Sequence, residues 1–165
     1  MAFHLVVGSG AIGSGTALLL AEAGHDVTVV TRSGRGPEHP AITRVAADAT
    51  DADRLAQLAT GAHAIVNCAN PPAYHAWAEQ WPPLATAMLT AAERTGARLV
   101  TMSNLYGYGR GSSPMRATDP LDPPTQNGRI RVEMWHQALA AHEADRVRVT
   151  EVRASDYVGP GLGDS

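Results

Sequence analysis

The chain has 165 residues, 44% of them hydrophobic and 18% charged, with 13 Lys and Arg against 16 Asp and Glu and a formal charge of -3. That length gives one domain with a substantial buried core, and the small, scattered charge excludes a polybasic face for nucleic acid. A single cysteine, Cys68, excludes an intrachain disulfide and predicts a reducing, cytoplasmic setting, while the His and Cys spacings predict no metal and the apolar runs no membrane span.

Phe3-His-Leu-Val-Val7 is a short apolar run that ends on glycine, and Gly8-Ser-Gly-Ala-Ile-Gly13 follows it. Residues 14–23 have a helical composition closed by Gly24, and residues 27–31 are again β-branched. Strand, glycine turn, helix and strand thus fit within about thirty residues, the size of a βαβ unit. The alternation continues with a strand over 43–46, a helix over 51–60 and a strand over 64–67. A long Ala-rich helix over 74–95, open to interruption at Pro82-Pro83, precedes a strand over 98–102. A helix over 129–143 and a strand over 147–152 complete the pattern. Apolar strands alternating with helices predict an α/β fold with a doubly wound parallel sheet, three-layer αβα of Rossmann type. Residues 107–128, rich in glycine and proline, read as a lid at the carboxyl end of a central strand, or as a plain connection.

The glycine turn carries the chemistry. Gly8 makes the tight turn out of the strand, Gly10 lets backbone approach a pyrophosphate, and Gly13 lets helix and strand pack closely. Ala11 and Ile12 lie in the turn, at a helix start whose free N–H groups favour an anion. The end of the second strand then selects the cofactor. An acidic residue there would hold the ribose 2′-hydroxyl of NAD; this chain has Thr31-Arg32-Ser33 instead. Arg32 can bind a 2′-phosphate with Ser33 adding a hydrogen bond, which predicts NADP first and NAD second, unless Arg32 is merely a solvated turn residue. Asp48 and Ala49 follow the third strand, where the carboxylate could accept from an adenine amino group or serve as an N-cap-like or turn residue before the helix at 51. Cys68, Ala69 and Asn70 end the fourth strand beside the cofactor path.

These features, with Asp48 in Ala-Asp-Ala-Thr-Asp, Ser103-Asn-Leu-Tyr-Gly-Tyr-Gly109 and Arg153-Ala-Ser-Asp-Tyr-Val-Gly-Pro-Gly161, make the whole chain resemble the extended or atypical short-chain dehydrogenase/reductases. That group includes the NAD-dependent epimerases and dehydratases. The glycine spacing is tighter than in most extended members. The resemblance implies a catalytic Ser and a Tyr–Lys pair four apart, and here Asn104 falls in the serine slot with Ser103 beside it. Asn127 falls in the tyrosine slot and Arg131 in the lysine slot. Asparagine transfers no proton at accessible pH, whereas arginine keeps the charge and can still bind the nicotinamide ribose. Tyr106, Tyr108 and Ser103 are the candidates to replace the missing proton donor.

The expected domain is a single NAD(P)-binding unit over 1–165, with the substrate-covering region of the longer relatives absent or truncated. The expected activity is hydride transfer on a small, sugar-like carbonyl or hydroxyl compound. A non-catalytic NADP(H) sensor is the alternative that the lost Tyr and Lys favour. The resemblance further implies a homodimer built on paired long helices. Trp77 and Trp81, four apart on such a helix, could wall a substrate or dimer surface or pack against the sheet or a neighbour.

Overall fold

The computed structural model describes residues 1–71, 73–111 and 113–155. Six strands form one parallel sheet in the order β3-β2-β1-β4-β5-β6. They are β1 (Phe3–Val7), β2 (Asp26–Thr31), β3 (Ile42–Ala46), β4 (Ala64–Asn67), β5 (Arg98–Asn104) and β6 (Val149–Ala154). The helices are α1 (Ala11–Glu22), α2 (Ala52–Leu58), α3 (Trp77–Thr95) and α4 (Gln126–Glu143). The order reverses between β1 and β4. Right-handed crossovers therefore put α1 on one face and α2, α3 and α4 on the other.

Alternate residues of β1 serve the two faces. Val6 joins Ala17, Ala21, Val27 and Val29 beneath α1. Leu5 and Val7 join Val30, Leu55, Ile65 and the α3 residues on the opposite side. Both faces are apolar, which is why the strands lack a clean polar alternation. Helix α1 buries Gly13, Ala17 and Ala21, one small side per turn, so it rides close to the sheet. Helix α3 runs unbroken through Pro82 and Pro83, although neither can donate to the carbonyl four residues back. Its buried face begins with Trp77 and Trp81, which pack inside rather than form an outer wall.

Strand and helix limits move where tertiary contacts extend them. β5 continues through Ser103 and Asn104 because both pair with β6. α4 begins three residues before the predicted start, capped by Thr125 Oγ1 accepting from the Gly128 amide at 3.1 Å. The Asp156–Gly161 part of the Arg-to-Gly-Pro-Gly stretch lies outside the described residues. Among those described, no helix is long and apolar enough to cross a membrane.

One polar cluster sits at the amino end of the sheet, away from the glycine turn. His4 of β1 is buried, with its ring 5.1 Å from that of His25 and 5.5 Å from that of His63. Arg98 Nη1 donates to His63 Nε2 at 2.6 Å. Burial first, and then the two neighbouring imidazoles, hold the His4 pKa below its ordinary 6.5. The unfolded chain therefore binds a proton at His4 that the folded chain refuses. Stability from this group is complete above pH 6.5 and is lost as pH falls through 6.5 towards the lower folded value. Thermal unfolding temperatures should fall over that acidic window, and His4→Phe should flatten the fall. An unchanged slope in the variant would place the acid sensitivity elsewhere.

Candidate active site

The carboxyl ends of β1, β2, β3 and β4 open into one cleft of about 560 Å³. That is a normal volume for a small-molecule site, at the place where strand order reverses. Gly8, Ser9 and Gly10 form its floor after β1, and Thr31 and Arg32 close the β2 side. Asp48, Ala49 and Thr50 line it after β3, and Cys68, Ala69, Asn70 and Pro71 after β4.

The three glycines occupy three different environments. Gly8 has φ +97°, and a Cβ there would lie 2.7 Å from the Ala69 amide nitrogen. A Cβ on Gly13 would lie 2.1 Å from the Gly8 carbonyl oxygen. Around Gly10 there is nothing within 4 Å, so the turn is bare on the side facing the cleft. Gly10 is also the N-cap of α1, with no side-chain cap and no acidic residue in the first turn. The first N–H groups of α1, starting at Ala11 and Ile12, keep their positive end uncompensated. This cradle fits a pyrophosphate.

The other expected contacts divide. Arg32 lines the cleft, and Thr31, Arg32 and Ser33 at the end of β2 include no carboxylate. Ser33 does not line the cleft; its hydroxyl accepts from the Arg35 amide at 3.4 Å. Asp48 is both a turn residue and a cleft residue. Its Oδ1 accepts from the Thr50 amide at 2.9 Å and the Thr50 hydroxyl at 2.8 Å. Those hydrogen bonds, with Arg32 contributing, hold its carboxyl below the usual range. The cap of α2 is instead Asp51, which accepts from the Arg54 amide. Burial pushes the Cys68 thiol up to about 11, against an opposing hydrogen bond with Thr16, so it sits neutral behind the glycine turn.

The wall supplied by α3, Glu79, Gln80, Pro83 and Leu84, was not read from the sequence. These residues share one helical face by spacing. Which neighbour that face meets depends on the fold.

The end of β5 carries the remaining candidates. Ser103 is buried, and Asn104 Oδ1 accepts from the Tyr106 amide at 3.1 Å, closing the turn out of the strand. Tyr108 is buried, and its hydroxyl donates to the Arg116 carbonyl and accepts from Arg153 Nη1, both at 3.0 Å. Arg153 also bonds Glu151 at 2.5 Å and lies 5.3 Å from the Trp135 ring centre. Tyr108 is thus part of a latch that ties the segment after β5 to β6 and α4. Arg153→Ala would strand the nearly buried Glu151 carboxylate and release that latch. A loss of about 3 kcal/mol is expected in urea unfolding, only partly restored by Arg153→Lys, which lacks the fork. Unfolding at the wild-type midpoint would show that the latch contributes nothing.

Arg131 lies elsewhere than the resemblance implies. It is 5% exposed and does not line the cleft. Its Nη2 donates to the Met102 carbonyl at 2.8 Å, and its guanidinium covers the Trp81 ring at 4.3 Å. The longer, planar side chain finds an aromatic face and a strand carbonyl in the interior. Asn127 lies in the first turn of α4, beside a separate hollow of about 340 Å³. That turn packs tightly on the turn that follows β5, since a Cβ on Gly128 would lie 2.3 Å from the Tyr106 carbonyl oxygen. Among the described residues, no group of three or more His, Cys, Asp or Glu could hold a metal.

Residues 4–165 match the family described as the NAD dependent epimerase/dehydratase family. The chain belongs to that family. Solved structures share the fold of the chain. WbmH of Bordetella bronchiseptica, in complex with NAD+, matches at TM-score 0.80 and 24% identity, covering 100% of this chain and 59% of its own. UDP-glucuronic acid 4-epimerase of Bacillus cereus, in complex with NAD, matches at 0.80 and 16%, covering 93% and 56%. UDP-glucose 4-epimerase of Brucella ovis, in complex with NAD, matches at 0.77 and 23%, covering 93% and 51%. The chain therefore spans just over half the length of each. No curated protein is significantly similar to it in sequence.

Proposed function

We propose that the chain binds a nicotinamide dinucleotide in the β1–β4 cleft, NADP(H) ahead of NAD(H), and serves hydride transfer on a sugar-like carbonyl or carbinol substrate. The observation that carries this is the bare, uncapped glycine turn opening into a cleft that Arg32 borders. Gly8 and Gly10 with the first amides of α1 hold the pyrophosphate, while Asp48 lies where it can meet the adenine. Ala49, Cys68, Ala69 and Asn70 give the nucleotide room along the strand ends. Bound nicotinamide supplies or accepts the hydride. The solved neighbours are named with NAD, and the preference for NADP rests on Arg32 standing where an acidic residue would favour NAD. A sugar-nucleotide substrate accords with the UDP-sugar epimerases among those neighbours.

The test is a titration of the purified protein with NADPH and with NADH, read by the fluorescence of the reduced nicotinamide. Saturable binding with NADPH tighter is the expected result. Failure to bind either nucleotide would overturn the reading.

A further inference from the structure

The hollow beside Asn127 holds two side chains able to move a proton, Tyr74 and His75, with Ala78, Thr125 and Gln126 completing its lining. Tyr74 comes from the short 3-10 turn Tyr74–Ala76 that leads into α3. It is 56% exposed, yet held from two sides. Its ring stacks on Trp77 at 4.8 Å, and Trp77 is itself buried and donates to the Pro71 carbonyl at 3.2 Å. Its hydroxyl lies 3.3 Å from that of Tyr106, whose ring is also stacked on Trp77 at 6.1 Å. Tyr106 is fixed by the Asn104 turn beneath it and by the first turn of α4 against its backbone. The hollow and the nucleotide cleft are bordered by the same stretch, Pro71 on the cleft side and Tyr74, His75 and Ala78 on the hollow side.

We propose that Tyr74 is the acid/base residue of this protein, with the Tyr106 hydroxyl as its positioning partner. This rests on the nucleotide reading given above. In the reducing direction the Tyr74 O–H bond would break and a new O–H bond would form on the substrate carbonyl oxygen, balancing the hydride that a bound reduced nicotinamide would supply to the carbonyl carbon. The resulting Tyr74 phenolate accepts a hydrogen bond from Tyr106 and regains its proton from water on its exposed side. The reverse direction returns both proton and hydride. Asn127 cannot take this part, because an amide does not titrate. Tyr108 is the poorer candidate, since its hydroxyl is spent on Arg116 and Arg153. A phenol whose ring is clamped on Trp77 and whose oxygen is hydrogen-bonded meets the geometric need of general acid catalysis.

The test compares the whole protein with Tyr74→Phe, Tyr106→Phe and His75→Gln, using UDP-glucose and UDP-glucuronic acid with oxidised nucleotide and following reduced nicotinamide. Tyr74→Phe should lose about 100-fold in kcat with KM, NADPH affinity and melting temperature unchanged. Tyr106→Phe should lose about tenfold, the effect of one hydrogen bond. A second measurement needs no turnover: nitration of Tyr74 by tetranitromethane, mapped by mass spectrometry, should slow when UDP-glucose and nucleotide are present. Full activity in Tyr74→Phe overturns the proposal, and a loss confined to His75→Gln transfers the role to the imidazole. A wild-type protein that binds NADPH but neither turns over nor protects Tyr74 overturns it too, leaving nucleotide binding intact. Loss of NADPH binding itself is the separate failure of the earlier reading.

Discussion

Gly13→Val is expected to abolish nucleotide binding and to destabilise the fold by about 3 kcal/mol or more. A Cβ at this position meets the Gly8 carbonyl oxygen at 2.1 Å and the Cys68 Cβ at 3.1 Å. The first contact sets a Cβ, whose place the backbone fixes, against a backbone oxygen, so no rotamer change relieves it. Helix α1 would have to lift from β1, opening the seam that Ala17 and Ala21 fill and tilting the helix end away from the cleft. Gly10→Ala is the informative contrast. Its φ of -66° suits any residue and its Cβ meets nothing within 4 Å. That variant should unfold at the wild-type urea concentration while binding NADPH more weakly, because the methyl group occupies the side on which the pyrophosphate approaches. If Gly10→Ala bound NADPH as tightly as the wild type, the phosphates would not lie on this turn. If Gly13→Val unfolded like the wild type, the close packing of α1 on β1 would not be a stability requirement.

Arg32→Asp should invert the choice of nucleotide. A guanidinium–phosphate pair contributes about 1.5–3 kcal/mol, so NADPH affinity should fall about 10- to 100-fold, with NADH affinity held or improved by a carboxylate that can meet the ribose hydroxyls. The new carboxylate would also face Asp48, whose charge Arg32 now helps to stabilise, and this repulsion adds to the loss. Wild-type NADPH binding should weaken with added salt more steeply than NADH binding, since only the former depends on the exposed charge pair. Ser33→Ala should change little, because that hydroxyl serves the Arg35 amide outside the cleft. Equal loss of both nucleotides in Arg32→Asp would mean that Arg32 shapes the cleft without reading the 2′-position.

The fold was legible because its signals are local. The run Phe3–Val7, the glycines at 8, 10 and 13 and the β-branched run to Thr31 each encode short-range geometry, and their succession leaves few topologies. Element limits were less legible where a distant partner sets them. β5 reaches Asn104 because β6 pairs with it, and α4 starts at Gln126 because Thr125 caps it and Gly128 seats it on Tyr106. Trp77 and Trp81 look alike in sequence whether they face outward or inward, and only the packing of α3 on the sheet decides.

The candidate site divides in the same way. The glycine turn and Arg32 lie within one βαβ unit, so the sequence by itself determined where the proposed dinucleotide would meet the chain. The second half joins residues far apart along it. Tyr74 meets Tyr106 across 32 positions, Arg153 meets Tyr108 across 45, and Arg131 turns inward to Met102 and Trp81 instead of outward to the cleft. Spacing cannot reveal these pairings, because they follow from strand order and from which helix face the sheet covers. Local backbone chemistry determined the glycine turn, whereas the tertiary structure decided which phenol stands over the hollow and which is locked away.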